Sequence, residues 1–317
     1  MKKVLKIAGI ILGIVLVLIG GFALYINATG IPSYDLELPE NYAVSADSAS
    51  LTNGEKLVRL TCMDCHINYE NQLLEGKKMF DVPASFGEVW SANLNHPETG
   101  LKSYSNEELA YLLRTGVKKD GKYAPPWMVK FPNMADEDLR DIIAFLRSDH
   151  PMLQPSEVRQ PAPRPSFLVK FLSHVAFKPF PYPQQEIALP NAGDQIARGQ
   201  YVADAVAGCF SCHSADFTTI DEYTPVNSAG YYGGGNLLKD AAGQDIYSAN
   251  LTMHPETGIG NWSEQQFIDA VKWGKGPKYP VRVPMPKYTD LTDDEIRAIF
   301  AYLKTIPVIE NSVDRTR

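Results

Sequence analysis

The sequence predicts an all-α protein: two similar helical units in tandem behind an N-terminal transmembrane helix. Three observations carry this. The chain opens on an uncharged apolar run, one sequence phrase occurs twice, and few segments alternate with the period of two that strands need. A length of 317 residues suggests about two domains. Hydrophobic content of 44% with 10% aromatics is ordinary for a globular chain.

The anchor comes first. Lys2, Lys3 and Lys6 precede a stretch, Ile7 to Tyr34, with no charged residue. Its core Ile7–Ile26 is 20 residues long, about 30 Å as a helix and enough to span a bilayer. The run is longer than the apolar region of a secretory signal, and Tyr25-Ile26-Asn27 stands where a small-residue cleavage site would lie. Residues 1–27 are therefore expected to be an uncleaved, single-pass anchor in the cytoplasmic membrane. The three lysines keep its start in the cytoplasm, so the rest is exported to the periplasmic side. The chain has 37 acidic and 30 basic residues, net −7. With three of its basic residues inside, the exported part is more acidic still. Nucleic acid is excluded as a natural partner, and a basic face on a partner protein suits this charge.

The repeat defines the two units, expected at 46–150 and 191–310. Ser91-Ala92-Asn93-Leu94-Asn95-His96-Pro97-Glu98-Thr99-Gly100 returns as Ser248-Ala249-Asn250-Leu251-Thr252-Met253-His254-Pro255-Glu256-Thr257-Gly258, with one residue inserted. Downstream, Ser105 with Glu108 and Ser263 with Gln266 predict capping boxes that open matched helices. Leu109, Leu112 and Leu113 answer Phe267, Ala270 and Val271 at helical spacing. Gly116 and Gly274 sit where those helices should end. A last helix follows in each unit. Leu139, Ile142, Ile143 and Leu146 form one apolar stripe, and Ile296, Ile299, Phe300 and Leu303 form the other. Acidic first turns suit both helix dipoles, and Thr292 with Glu295 predicts a third capping box. Between the units, 151–190 holds nine prolines and reads as an extended linker. Its apolar middle, Ser166–Phe177, predicts a short helix packed between the units, with His174 as a surface or interface residue. The second unit carries extra length, including Gly230-Tyr231-Tyr232-Gly233-Gly234-Gly235. This cluster lacks the lysine and the strand–helix setting of a phosphate loop; a loop covering a cofactor edge is the expectation.

All four cysteines fall in two pentapeptides, Cys62-Met63-Asp64-Cys65-His66 and Cys209-Phe210-Ser211-Cys212-His213. Each reads as an attachment site for c-type haem. Thiols three apart share a helix face and can form thioethers to the two vinyl groups of one porphyrin, with the next histidine turned onto the iron. Zinc normally takes four ligands per site, and a thioredoxin-like pair belongs beside a βαβ pattern, which is lacking. Two covalently bound haem c groups are therefore expected. Cys62, Cys65, Cys209 and Cys212 supply the thioethers, and His66 and His213 one axial ligand each. Attachment outside the cytoplasm agrees with export.

For the second axial ligand the repeat narrows the choice. Met128 stands 11 residues before Leu139 and Met285 11 before Ile296, each three residues before an aromatic, Phe131 or Tyr288. Thioether ligation favours ferrous iron and raises the potential. Met134 pairs with Leu291 in the repeat and Met79 has no counterpart, so neither fits as well. His96 and His254 form a matched pair but lie in turn-like His-Pro-Glu-Thr-Gly and are expected as loop residues.

These residues resemble the class I cytochrome c superfamily. Cys209–His213, Ser248–Gly258 with Ile259-Gly260-Asn261-Trp262, and Met285-Pro286-Lys287-Tyr288 before Leu291-Thr292-Asp293-Asp294-Glu295 look like the cytochrome subunits of membrane-bound bacterial alcohol and aldehyde dehydrogenases. The resemblance covers about 194–308 well and 50–148 less closely, where Val129 breaks the Met-Pro pattern after Met128. It implies a fold of tandem cytochrome c domains. It also implies an electron-transfer role, not catalysis, between a dehydrogenase or quinol-oxidising complex and a terminal oxidase or soluble cytochrome. The rival readings are a dihaem peroxidase, which needs an open iron position, and a non-catalytic haem-bearing anchor subunit. Two matched methionines count against the peroxidase.

Overall fold

The computed structural model describes residues 1–80, 82–240 and 242–313. Helix α1 spans Lys2–Thr29. Its most apolar window has a mean hydropathy of 2.8 and none of that window is buried by the protein. The helix is long and apolar enough to cross a membrane, and it stops at Gly30, whose φ of 70° leaves the helical region.

The first helical unit contains α2 (Ser48–Thr61), α3 (Met63–His66), α4 (Asn106–Thr115) and α5 (Asp136–Leu146). Asp47 caps α2 by accepting from the amides of Ala49 and Ser50 at 3.0 Å. Ser105 and Glu108 close the expected capping box on α4, which ends on left-handed Gly116. The stripe of α5 meets Leu57, Val58, Leu109 and Leu113 in one buried cluster. Residues before the expected boundary also belong to this unit: Tyr42 is buried in the same cluster, and its amide donates to Glu107 Oε1 at 3.1 Å.

The 151–190 segment is extended but lies against this unit for much of its course. Met152 and Leu153 are buried in its core. Gln160 donates to the carbonyls of Glu75 and Gly76 at 3.0 Å, and the Ile187 amide to Asp136 Oδ2 at 2.7 Å. The expected short helix is present as α6 (Phe167–Val175). It does not sit between the units; it packs on α1, through Phe171 on Phe22 and His174 on Tyr25. Local sequence carries no sign of that pairing.

The second unit contains α7 (Gln195–Gln200), α8 (Cys209–His213), α9 (Glu264–Trp273) and α10 (Asp293–Leu303). Both expected capping boxes form, at Ser263 with Gln266 and at Thr292 with Glu295. Its buried cluster joins Phe267, Ile268, Ile296, Ile299, Phe300 and Leu303 with Tyr232. Among the described residues the strands are two short antiparallel pairs. β1 (Gly87–Glu88) pairs with β2 (Arg164–Pro165), and β3 (Leu237–Lys239) with β4 (Asp245–Tyr247).

In both units the helix leading into the cysteine motif crosses the last helix at a glycine. A Cβ on Gly54 would lie 2.0 Å from the Asp141 carbonyl oxygen, and one on Gly199 would lie 1.9 Å from that of Ala298. No other residue permits such an approach. Gly54 stands 8 residues before Cys62, whereas Gly199 stands 10 before Cys209. The two additional residues are taken up by a π-helical stretch, Tyr201–Val206, and by left-handed Gly208.

Candidate haem-attachment sites

Each cysteine motif is a single helical turn set at the end of its unit's first helix. At Cys62 the amide still donates to Val58 O at 2.9 Å, closing α2, and the His66 amide donates to Cys62 O at 3.0 Å, closing the next turn. The four cysteines are all half-buried. Burial pushes the thiols of Cys62 and Cys212 up, and that of Cys209 up to about 12, with the Asp204 carboxylate adding to the burial effect at Cys209. These are protonated thiols, unlike the thiolates of reactive dithiols. No group of three or more His, Cys, Asp and Glu side chains among the described residues could hold a metal ion on its own. Both observations count against the zinc and dithiol readings.

The two histidines are held alike. His66 Nδ1 lies 2.9 Å from the carbonyl oxygen of Ala92, and His213 Nδ1 lies 2.8 Å from that of Ala249. A carbonyl can only accept, so Nδ1 carries the proton and Nε2, on the other side of the ring, has its lone pair. Burial also pushes His66 down, toward the neutral imidazole that ligates metals. Ala92 and Ala249 are the same position of the repeated phrase.

A glycine packs closely against each of these carbonyls. Gly76 donates its amide to His66 O, and Gly234 to His213 O, both at 2.8 Å. Both have positive φ, 73° and 68°. A Cβ on either would fall 2.6 Å from the carbonyl oxygen of Ala92 or Ala249. Gly234 therefore has a framing role within the glycine cluster. The neighbouring tyrosines turn into the core rather than outward: Tyr231 and Tyr232 donate to the two oxygens of Asp204 at 2.6 and 2.7 Å. Gly234 thus makes this segment a strut behind His213.

The methionine loops are also built alike. The Phe131 amide donates to Leu113 O at 2.7 Å and the Tyr288 amide to Val271 O at 3.1 Å, which are matched positions on α4 and α9. Met128 is half-buried and, like Cys62, packs on the first core. Met285 is half-buried too, but the structure does not bring it into the second core. Arg114, fully buried, pins the first loop: its guanidinium donates to Phe131 O at 2.9 Å, to Met134 O, and to Asp136 at 2.8 Å. In the second unit the matched pair is Lys272 with Asp293 at 2.7 Å. Met134 is wholly buried core. His96 and His254 staple their own turns, their Nδ1 atoms accepting from the amides of Thr99 at 3.3 Å and Thr257 at 3.1 Å.

The helices that lead into the two motifs meet in one seam. Leu60 and Tyr201 pack on both cores, and Val206 is buried in the first. Tyr201 OH donates to Asp138 and accepts from the Ala135 amide at 3.1 Å. Lys56 pairs with Glu295 across the same seam. The Tyr288 hydroxyl donates to Ala207 O at 3.2 Å. Burial pushes its phenol well up.

Residues 196–307 match the family model for cytochrome c. This stretch is similar to cytochrome c domains. Over 283 residues the chain is 27% identical to the cytochrome c subunit of a quinone-dependent alcohol dehydrogenase of Gluconobacter oxydans, covering 84% of this chain and 57% of that one. It is 29% identical over 282 residues to the fructose dehydrogenase cytochrome subunit of Gluconobacter japonicus, covering 83% and 54%. It is 26% identical over 274 residues to the gluconate 2-dehydrogenase cytochrome c subunit of Pantoea cypripedii, covering 82% and 60%. The chain spans a little over half the length of these curated relatives. They are named as cytochrome subunits of dehydrogenases.

Sequence reasoning missed Gly54, Gly76, Gly199, Arg114 and the carbonyls of Ala92 and Ala249. A glycine inside an apolar-faced helix is the one signal that could have exposed Gly54 and Gly199.

Proposed function

We propose that this chain is a membrane-anchored dihaem c-type cytochrome working on the outer side of the cytoplasmic membrane. It passes electrons from a dehydrogenase or quinol-oxidising complex to a terminal oxidase or soluble cytochrome. The observation that carries this reading is the duplicated histidine frame, with His66 on Ala92 and His213 on Ala249 at nearly equal distances. The residues fit the cofactor: pairs of cysteines at thioether spacing, and an imidazole whose Nδ1 is fixed by a backbone carbonyl. Cys62 and Cys65 would hold one haem and Cys209 and Cys212 the other. His66 with Met128 and His213 with Met285 would be the axial pairs.

Haem with both axial positions filled supplies one-electron transfer and leaves no position for a substrate. The protein's own contribution is positional. Ala92 and Ala249 orient the imidazoles, Arg114 fixes the Met128 loop, and burial limits water near each site. The seam of Leu60, Tyr201, Val206 and Tyr288 holds the two sites at short range. In each unit the first helix and the last are locked at a glycine, so little rearrangement accompanies a change of charge.

A redox titration of the full chain in detergent, followed by absorbance and by electron paramagnetic resonance, tests the reading. Two low-spin centres with methionine-type ferric spectra are expected. One high-spin centre that turns over peroxide would overturn it.

A further inference from the structure

Helix α6 has a free apolar face at the level where α1 would leave the bilayer. Phe167, Leu168, Phe171, Leu172 and Val175 occupy one arc of this nine-residue helix. Val169 and Ser173, on the opposite side, are fully buried against the protein. Phe167, Leu168 and Val175 are 48%, 42% and 49% exposed, a high exposure for three large apolar side chains on one short helix.

The contacts with α1 fix how α6 lies. Lys170 Nζ donates to Asn27 Oδ1 at 3.1 Å, and His174 Nε2 stands 3.0 Å from Gly30 O, so both polar side chains meet the end of α1. Phe171 instead packs edge-on to Phe22, with ring centroids 6.3 Å apart. Helix α6 thus lies across α1, with Lys170 and His174 at the end of α1 and Phe171 beside the apolar run. Phe22 is one turn before Ile26, about 6 Å along the axis. Helices that lie in the lipid interface bury their apolar face about 5–10 Å deep. The depth set by the Phe22 contact falls in that range.

We infer that α6 is a second membrane-contact element, an in-plane helix whose Phe167, Leu168, Phe171 and Val175 enter the lipid interface beside α1. The inference rests on the reading of α1 as a membrane span. Lipid is the occupant because the face continues the exposed surface of α1 at the same depth, where a soluble partner could not follow. Two contacts, unlike one, keep the haem-bearing units from swivelling about the anchor and present one constant face to partners along the membrane.

The test uses the full haem-loaded chain in phospholipid vesicles. Nitroxide labels are placed singly at Leu168→Cys, Val175→Cys, Leu16→Cys in α1 and Val308→Cys on the second unit, and each is read for collision with oxygen and with a water-soluble nickel chelate. Labels at 168 and 175 are expected to favour oxygen over nickel several-fold more than the label at 308, approaching the label at 16. If they behave like the label at 308 while the label at 16 reads as buried in lipid, α6 is not a lipid element and the anchor reading survives. If the label at 16 also reads as aqueous, the anchor reading and this inference fail together. Shielding at 168 that appears only on adding a dehydrogenase subunit would assign the face to a protein and overturn the inference.

Discussion

Replacing Gly199 by alanine sets two effects of opposite sign against each other. Alanine is the better helix former by about 1 kcal/mol, so an unhindered helix would gain stability. In this fold the new methyl would sit 1.9 Å from the Ala298 carbonyl oxygen and 2.9 Å from Tyr302 Cβ, where side-chain carbons keep 3.0 Å or more. Helices α7 and α10 would have to part by about 1 Å, and a gap of that size forfeits a quarter to a half of each contact's dispersion energy. Overpacking typically costs about 1–3 kcal/mol, and the obstacle here is helix backbone, which cannot rotate away. The expected net change is a loss of about 2 kcal/mol. Gly54→Ala should behave alike, since its methyl would meet Asp141 O at 2.0 Å and Phe145 Cβ at 2.8 Å. Urea unfolding of the full chain, followed through haem absorbance and far-ultraviolet circular dichroism, measures both. Variants as stable as the parent, or more stable by the propensity gain, would refute the close crossing.

Met128→Leu and Met285→Leu should each remove the methionine-ligated ferric signature of one haem and leave the other, read by near-infrared magnetic circular dichroism; the same loss on His96→Ala would contradict the assignment. Arg114→Met should cost about 3–5 kcal/mol, because Asp136 is left without its buried partner, and denaturant midpoints will show it. Burial pushes Tyr104 and Tyr302 up to about 12 from 10.0. The folded state keeps these protons while the unfolded chain loses them, so their stabilisation is complete below pH 10 and is lost between pH 10 and 12. Tyr302→Phe should flatten that alkaline decline, measured as the denaturation midpoint against pH.

The features legible in the sequence are those whose chemistry is local. The capping boxes at Ser105, Ser263 and Thr292 form as their spacing requires, because a side chain and an amide three residues away settle the matter. The repeat correctly pairs Phe131 with Tyr288, whose amides meet matched carbonyls. What stayed hidden depends on distant backbone. The carbonyls of Ala92 and Ala249 orient the histidines, yet a carbonyl leaves no mark on residue choice at its own position. Sequence shows Gly234 only as part of a glycine-rich loop, because its neighbour Ala249 lies across the fold. The docking of α6 on α1 joins Phe171 to Phe22, and no local pattern announces such a pair. The π-helical stretch at Tyr201–Val206 shows only as a two-residue difference in length between the two units.

The central claim is that both cysteine motifs, not only the one in the matched 196–307 domain, hold haem. Intact-mass measurement of the acid-denatured full chain, produced with haem attachment outside the cytoplasm, tests it most directly. A mass increased by two haems is predicted, falling to one haem in both Cys62→Ala/Cys65→Ala and Cys209→Ala/Cys212→Ala. A parent chain carrying a single haem, lost only in the second double variant, would contradict the account.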